Sequence, residues 1–477
     1  MKTAMNDRLT RRNFLGGALA LGAAYPVFGD VSSSRPKLLV GIVSDPHANS
    51  DPNNAYFRKA LELFRAREVD AVAIPGDFGF VAKHGELLKS AKAWFDVFPD
   101  DRLPDGRKVE RIFITGNHDE DGWRYGKPAK DRYAGTTPEE SAFAFNRQKF
   151  WREAWHEDYT PVFTKTVKGY TFVCRHWLPL KRYAGNPALA WFAAHGAELP
   201  ADRPFFYLQH EALAGATTHP DAGKIVKGVL WDGADDGAVA KVLSAYPNCV
   251  AFTGHTHNPL TFDTGIWQGA FTAIDCGSDN HWPFTWGGRE NGHPGAKEMK
   301  MFDLTAQRHA LVMSVYDDRI VFERRCLIHG EPLGADWVVP LGPGAPRPYT
   351  DAAKNAAEPP PEFPAGAKVE VRREMGEDFK GDRHEQIVVS FPVVNGTAAP
   401  FVRAFDYEIV PSVAGLRHYA VFSHGLSRPP ARDTGPVVCR MKASDFPSGP
   451  ISFEVRPRDS RGRSGRSITG HLRSSVK

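Results

Sequence analysis

The chain has 477 residues, with 60 Lys and Arg against 56 Asp and Glu and a formal net charge of +4. This length exceeds what one compact core holds and predicts two domains. The nearly balanced charge excludes a nucleic-acid footprint and gives no support for binding to a membrane surface. The five cysteines are odd in number and lack paired short spacing, so we expect buried free thiols rather than a disulfide framework or a zinc knuckle.

Residues 1–30 differ in kind from the rest of the chain. The run Arg11-Arg12-Asn13-Phe14-Leu15 precedes small and apolar residues at 16–24 and resembles a twin-arginine export signal. The apolar part has only about eleven residues, which favours a cleaved signal over a permanent membrane anchor. The resemblance implies the twin-arginine export machinery as a partner and a periplasmic or secreted location. The alternative is a chance arginine pair before a core helix.

The continuous apolar run at residues 38–43 predicts a strand that is buried on both faces of a sheet, and the largely apolar stretches 69–74 and 111–115 predict two further strands. Amphipathic helical patterns lie between them, so the order strand, helix, strand predicts a parallel α/β sheet. Ligands gather at the carboxyl ends of such strands. Each run ends in polar residues that are able to bind a metal or move a proton: Asp45 and His47; Asp77; Asn117, His118 and Asp119.

The same arrangement returns further along the chain. Residues 120–168 are rich in aromatic residues and arginine and show no strand regularity, so we interpret them as an insertion beside the crevice. Strands are predicted at 170–174, 204–208 and 249–252, with helices at 187–199 and 238–246, and a hairpin over 310–324 closes the unit. The last two of these three strands end in histidines: His210, His255 and His257.

The C-terminal part has a different composition. Residues 343–366 are rich in Gly, Pro and Ala and predict a semi-rigid linker. Residues 367–477 show short alternating strands at the spacing of a β-sandwich, and segments 405–408 and 453–465 resemble strands of a fibronectin type III module. Five arginines near the end predict a solvated edge rather than an anion site: Arg456, Arg458, Arg461, Arg463 and Arg466.

The strand-end residues together form a ligand set for two metal ions. Two divalent ions about 3.5–4 Å apart need roughly seven or eight oxygen and nitrogen donors, one of them a bridging carboxylate. The order Asp-x-His, Gly-Asp, Gly-Asn-His-Asp, a lone His and Gly-His-x-His resembles the calcineurin-like metallophosphoesterase family across residues 37–330. The resemblance implies a four-layer α/β/β/α domain at residues 36–342, followed by the β-sandwich domain.

The resemblance also implies a role for each residue. Two divalent ions, Mn, Fe or Zn, are the implied cofactors. The first ion is implied to be held by Asp45, His47 and His257, the second by Asn117, His210 and His255, with Asp77 as the bridge. His118 is implied to act on the leaving group as a general acid, and Asp119 to orient the imidazole of His118.

The implied reaction is hydrolysis of a phosphodiester by a hydroxide that bridges the two ions, without a covalent enzyme intermediate. The substrate is a small-molecule, lipid or nucleotide phosphoester. A phosphomonoesterase with the same site is the alternative, and a non-catalytic surface-binding scaffold is an alternative of another class. Residues 76–80 lack the tyrosine of purple acid phosphatases, and Glu211 follows His210 where the family more often has proline.

Other polar residues carry weaker expectations. Three residues just beyond ligand motifs are candidates for substrate contact: Arg124, Tyr125 and Trp282. Six histidines without paired ligand spacing are expected to be structural: His84, His156, His176, His195, His219 and His281.

Overall fold

A computed structural model describes residues 35–48, 50–79, 84–120, 147–178, 186–217, 235–280, 307–377, 382–398, 402–416, 418–423 and 428–472. Outside them lie the export-signal segment, Arg124, Tyr125, His219, His281 and Trp282, and the side chain of His84. Within the described parts, no helix has the length and apolar character needed to cross a membrane.

Two mixed β-sheets lie at the centre of the first domain. The first sheet has the order β12-β11-β10-β1-β2-β3, with β13 beside β11, and the second has the order β4-β5-β6-β7-β9-β8. The strands are β1 Leu38–Ile42, β2 Ala71–Ile74, β3 Glu110–Phe113, β4 Val162–Val167, β5 Tyr170–Arg175, β6 Phe205–Leu208, β7 Cys249–Thr253, β8 Ile266–Gln268, β9 Thr272–Asp275, β10 His309–Val315, β11 Arg319–Cys326, β12 Glu331–Pro332 and β13 Trp337–Pro340. Strands β1 to β3 are parallel to one another, as are β5, β6, β7 and β9.

Helices cover the outer face of each sheet. They are α1 Asp51–Ala66, α2 His84–Val97, α3 Arg147–Trp155, α4 Pro187–His195 and α5 Ala238–Leu243. Helix α1 begins after Ser50, whose hydroxyl accepts a hydrogen bond from Asn53 N, and it buries Phe57, Leu61 and Phe64 at helical spacing. One core cluster lies between the two sheets, and two further clusters join the sheets to their helices. The predicted four-layer α/β/β/α architecture is confirmed.

The region expected to be an irregular insertion contains regular structure. Strand β4 and helix α3 both fall within residues 120–168, so the prediction of no strand there is wrong. Trp151 and Trp155 of α3 are buried, and their rings lie 6.3 and 5.1 Å from the ring of Phe78. Trp151 and Trp155 therefore belong to the core of the first domain, directly behind the Gly76-Asp77 turn.

The C-terminal domain is a pair of antiparallel sheets around one core. Sheet β14-β15-β18 faces sheet β17-β16-β19-β20. The strands are β14 Glu370–Glu377, β15 Arg383–Pro392, β16 Asp406–Pro411, β17 Tyr419–Phe422, β18 Pro436–Lys442, β19 Ile451–Arg458 and β20 Ile468–Leu472. Alternate residues of β15, β16 and β19 point into the core, among them Val389, Tyr407 and Phe453. The predicted C-terminal β-sandwich is confirmed.

The segment between the domains is folded onto the first domain. It contains helix α6, Asp351–Ala357, which begins after Thr350 and which the composition did not predict. Lys354 of this helix is buried, and its ammonium donates to the carbonyls of Asp263 and Ile266 at 2.6 and 2.5 Å. A satisfied buried cation of this kind fixes the helix to the turn that precedes β8.

The arginine-rich end of the chain is paired with carboxylates. The side chain of Arg461 is 8% exposed and lies 2.5 Å from Asp263 Oδ2 of the first domain and 3.0 Å from Glu358 Oε2. Arg463 pairs with Asp459, and Arg466 pairs with Glu362. The expectation of a solvated edge is therefore wrong for Arg461, because the fold of the first domain brings Asp263 to it.

We predict that Arg461→Met destabilises the chain by about 3 kcal/mol, because it leaves partly buried carboxylates without their common cation. Arg456→Met is the matched control: Arg456 is 37% exposed and its partners are Glu408 and Glu454, so the expected loss is under about 1 kcal/mol. Urea unfolding of both variants measures the difference. Equal losses would show that the pairing with Asp263 contributes no more than a surface ion pair.

Candidate metal centre

The carboxyl ends of strands from both sheets meet at one edge of the domain. The segments after β1, β2, β6 and β7 are joined there by backbone hydrogen bonds. His47 N donates to Asp77 O at 3.0 Å, and Gly254 N donates to His210 O at 2.9 Å. These bonds join the segment of Asp45 and His47 to that of Asp77, and the segment of His210 to that of His255 and His257.

Two groups of predicted ligands lie within this edge. Asp45, His47, Asp77 and His257 place one ligand atom each within 4.8 Å of one another, and so do Asp77, His210 and His255. Asp77 belongs to both groups. All of these side chains are buried, and a carboxylate shared by two sets of donors is what a pair of adjacent cations requires.

Asn117, whose side chain is amide rather than acid, adds an oxygen to the second group. Its Oδ1 lies 3.0 Å from His210 Nε2, and Asp77 Oδ2 lies 3.2 Å from the same nitrogen. The structure therefore brings all seven predicted ligands together at the edge where the two sheets meet.

Two of the histidines are held in the tautomer that metal binding needs. His47 Nδ1 lies 2.9 Å from Gly79 O, and His210 Nδ1 lies 2.7 Å from Pro75 O. Each of these nitrogens must carry a proton to donate to a carbonyl, which leaves the Nε2 lone pair pointing at the other donors. The outer hydrogen bonds thus orient both rings toward the cluster.

The donor atoms fit a cation better than they fit one another. His47 Nε2 and His257 Nε2 are 3.2 Å apart. Asp77 Oδ2 is buried and makes no hydrogen bond of normal geometry within the described residues. Converging lone pairs and carboxylates repel unless a positive charge lies between them. Imidazole nitrogens and carboxylate oxygens together suit Mn²⁺, Fe²⁺ or Zn²⁺.

The electrostatics of the cluster follow from burial and close opposite charges. Burial lowers the pKa of His47 to about 3, so this ring is neutral at physiological pH, as a ligand must be. Burial would raise the pKa of Asp77, but His210 and His118 hold it well below its usual range. Burial alone would lower the pKa of His210, but the charge of Asp77 outweighs burial and raises the pKa of His210 to about 10. Cation binding beside His210 therefore releases a proton and weakens as the pH falls.

The backbone at this edge adopts uncommon conformations. Five of the seven predicted ligands have positive φ angles: Asp45 at 51°, His47 at 43°, Asp77 at 58°, His255 at 69° and His257 at 54°. Such conformations cost about 1–3 kcal/mol each in non-glycine residues and persist only where the surroundings impose them. Their concentration at these strand ends is typical of a functional site.

Glycine is required where two of the ligand turns approach closely. A Cβ atom on Gly254 would contact Ser44 Oγ and lie 2.5 Å from Asp45 Oδ2, and one on Gly116 would lie 2.6 Å from Asp77 N. No side chain fits at either position without moving a ligand. The glycines of the Gly-His-x-His and Gly-Asn-His-Asp motifs are thus explained by contact with the other motifs.

We predict that Gly254→Ala weakens cation binding and destabilises the fold by about 1–3 kcal/mol, because Asp45 must shift. Gly85→Ala is the control: Gly85 lies in helix α2 with no atom within 4 Å of its added Cβ. This control is expected to gain about 0.5–1 kcal/mol from helix propensity. Urea unfolding and metal content after dialysis test both variants. Wild-type metal content in Gly254→Ala would show that the edge tolerates the methyl group.

His118 and Asp119 lie at the cluster in different ways. His118 N donates to Asp77 Oδ1 at 2.8 Å, and its ring meets the His47 ring edge-on at 5.0 Å. The side chain is half-buried and so reaches the crevice. His118 therefore stands beside both donor groups without belonging to either.

Asp119 is bound to the backbone rather than to His118. Its carboxylate accepts from Gly116 N at 2.8 Å, from Gly79 N at 2.9 Å and from Phe78 N at 3.3 Å. Burial and the charge of Asp77 raise the pKa of Asp119 to about 8. Asp119 thus joins the two ligand turns after β2 and β3. Its implied role in orienting the His118 imidazole stays a prediction.

Two supporting residues were missed by the sequence analysis. Ser44 Oγ donates to Asp45 Oδ2 at 2.5 Å. Asp275 accepts from Thr256 Oγ1 at 2.5 Å and from Asn258 Nδ2 at 3.2 Å, which fixes the turn that carries His255 and His257. Asp275 ends strand β9 after an apolar run, so the same signal that marked Asp45 and Asp77 was present there.

The other described histidines make structural contacts. His176 is buried, accepts from Thr115 N at 3.0 Å and stacks on Tyr159. His156 stacks on Phe95, and His195 pairs with Glu198 near the end of α4. None of the three belongs to a donor group among the described residues.

Four layers with two donor groups that share one carboxylate form the arrangement of dinuclear metallohydrolase domains. The calcineurin-like phosphoesterase family matches residues 38–259. The chain therefore carries a calcineurin-like metallophosphoesterase domain, as the five motifs predicted. No curated protein matches the chain significantly.

Several solved structures resemble the chain at low identity. A dimetal phosphatase from Danio rerio has 11% identity and a TM-score of 0.35, over 64% of this chain and 100% of its own. GAP50, the anchor in the inner membrane complex of Plasmodium, has 12% identity and a TM-score of 0.37. The match covers 67% of this chain and 92% of GAP50. Vacuolar Protein Sorting 29 from Cryptosporidium parvum has 11% identity and a TM-score of 0.28. The match covers 64% of this chain and 98% of that protein.

Proposed function

We propose that the chain is a metal-dependent phosphoric ester hydrolase that cleaves a phosphodiester. The observation that carries the proposal is the sharing of Asp77 between two buried donor groups within a calcineurin-like phosphoesterase domain. Asp45, His47 and His257 would hold one divalent ion, and Asn117, His210 and His255 the other. Such a pair of ions, when bound, supplies an activated water and offsets the charge of the phosphoryl group.

The protein's own groups divide the remaining work. Gly79 O and Pro75 O keep His47 and His210 in the ligand tautomer. His118, held by its backbone bond to Asp77, stands at the crevice and delivers a proton to the leaving oxygen of the ester. Asp119 keeps the two adjacent turns at a fixed separation, so that Asp77 and His118 keep their positions relative to each other.

The setting of the reaction is part of the same proposal. A twin-arginine signal at residues 1–30 would export the protein already folded, so the ions would be loaded before export. Mn, Fe and Zn all suit the donor set. The β-sandwich is proposed as an accessory module of the fibronectin type III kind.

Hydrolysis of an ester panel tests the proposal. Stripped protein is refilled with Mn²⁺, Fe²⁺ or Zn²⁺ and assayed on monoesters, glycerophosphodiesters and cyclic nucleotides. We expect turnover with at least one ion and a preference for diesters. A preference for monoesters would identify a phosphomonoesterase with the same site. Two bound ions with no turnover on any ester would leave a binding scaffold and refute the enzyme proposal.

A further inference from the structure

A buried ion pair lies directly beside the second donor group. Arg175 is the last residue of β5, and its side chain is 0% exposed. Its guanidinium pairs with Glu211, whose side chain is 12% exposed and which immediately follows His210. Strand β5 pairs in parallel with β6, and Cys174 lies opposite Leu208, so the register brings Arg175 to the turn that carries His210.

The residues on both sides of His210 are fixed by side-chain hydrogen bonds. Gln209 accepts from Tyr207 OH at 3.1 Å and donates through Nε2 to Glu211 O at 2.9 Å and to Asp235 Oδ2 at 3.0 Å. Gly254 N donates to His210 O, which ties the turn to the Gly-His-x-His motif. Glu211 is thus held by its backbone carbonyl and by its carboxylate at once.

This arrangement constrains the position of the His210 ring. A buried guanidinium is strongly disfavoured without a counter-charge, so Arg175 holds Glu211 where the carboxylate can reach it. His210 is the preceding residue, and its Nε2 must stay within reach of Asn117 Oδ1 and Asp77 Oδ2. Any movement of Glu211 away from Arg175 therefore rotates or displaces the neighbouring ligand.

We propose that the Arg175–Glu211 pair is a positioning device that sets the cation affinity of the group formed by Asn117, His210 and His255. The inference rests on the proposed function, since it takes that group as a cation site. It accounts for the acidic residue after the lone histidine, because Glu211 supplies the carboxylate that pairs directly with the buried guanidinium of Arg175 and a proline there would not.

Direct measurement of Mn²⁺ binding tests the proposal. Glu211→Gln and Arg175→Met each remove one charge at nearly constant size. We expect one Mn²⁺ to bind as in the wild type and the other about 10–100-fold more weakly, as with other residues that orient ligands. Calorimetric titration gives the two affinities, and the electron paramagnetic resonance signal of a coupled Mn²⁺ pair reports the second ion independently of turnover. At saturating Mn²⁺ we expect turnover to recover, which a damaged fold would not allow.

A matched control separates positioning from stability. Asp433→Asn breaks the buried Arg403–Asp433 pair of the sandwich and is expected to lower the unfolding midpoint while both Mn²⁺ affinities stay unchanged. If Glu211→Gln does not fold, the double variant Arg175→Met/Glu211→Leu removes both charges without leaving either unpaired.

The outcomes distinguish the two proposals. Wild-type affinities in folded variants would overturn the positioning role and leave the proposed function intact. A wild-type protein that binds no pair of Mn²⁺, Fe²⁺ or Zn²⁺ ions would overturn both proposals together.

Discussion

Asp77→Asn is expected to abolish the metal pair and to reduce turnover by about 10³-fold or more. Asp77 is the one carboxylate common to both donor groups. An amide keeps the size of the side chain but carries no charge, so it offsets none of the repulsion between two divalent ions. Metal analysis after dialysis is expected to give at most one ion per chain.

Thermal unfolding gives a second readout of the Asp77 variant. A ligand at one hundred times its Kd stabilises a native protein by about 2.7 kcal/mol. Saturating Mn²⁺ should therefore raise the unfolding temperature of the wild type and have little effect on Asp77→Asn. Asp406→Asn is the control, because Asp406 is a buried aspartate that pairs with Arg458 in the sandwich. Two ions bound with unchanged affinity in Asp77→Asn would refute the bridging role.

The strands that carry the ligands could be predicted from the sequence. Runs such as Leu38-Leu39-Val40 and Ala71 to Ile74 are apolar without alternation, which is typical of strands buried on both faces. The polar residues that follow them needed no knowledge of tertiary contacts to be identified. The chemistry of the site therefore followed from residue type and order along the chain.

What escaped prediction depends on contacts between distant parts of the chain. Helix α3 is rich in tryptophan and arginine, and only its packing on Phe78 shows why Trp151 and Trp155 are buried. Strands β8 and β9 are short, and β9 becomes a full member of the sheet through its parallel pairing with β7. Helix α6 lies in a segment of linker-like composition and is fixed by Lys354. Local patterns do not report such contacts.

The same reason accounts for Asp119. Its position after His118 suggested a partner for the imidazole, since a carboxylate next to a catalytic histidine commonly fixes its tautomer. The fold also brings the amides of Phe78 and Gly79, some forty residues earlier in the chain, to within hydrogen-bonding distance of its carboxylate, which its place in the sequence does not show. Asp275 also acts through Thr256 and Asn258, which only the folded chain brings to it.

His118→Ala is expected to keep both ions and to lose about 10²–10⁴-fold in turnover on esters with alkyl leaving groups. An alkoxide is a poor leaving group and needs a proton as the bond to phosphorus breaks. A 4-nitrophenolate leaves without one, so the loss on 4-nitrophenyl esters should be much smaller. The ratio of the two losses measures proton donation by His118 rather than damage to the site.

Two further measurements complete the test of His118. His195→Ala is the control, because His195 is half-exposed on α4 and pairs with Glu198 away from the donor groups; its turnover should match the wild type. Metal content shows whether His118→Ala still holds the pair. Its ring meets the edge of the His47 ring at 5.0 Å without belonging to either donor group, and the bond to Asp77 comes from the backbone, which alanine retains. An equal loss on alkyl and 4-nitrophenyl esters would assign His118 to binding the phosphoryl group instead of protonating the leaving oxygen.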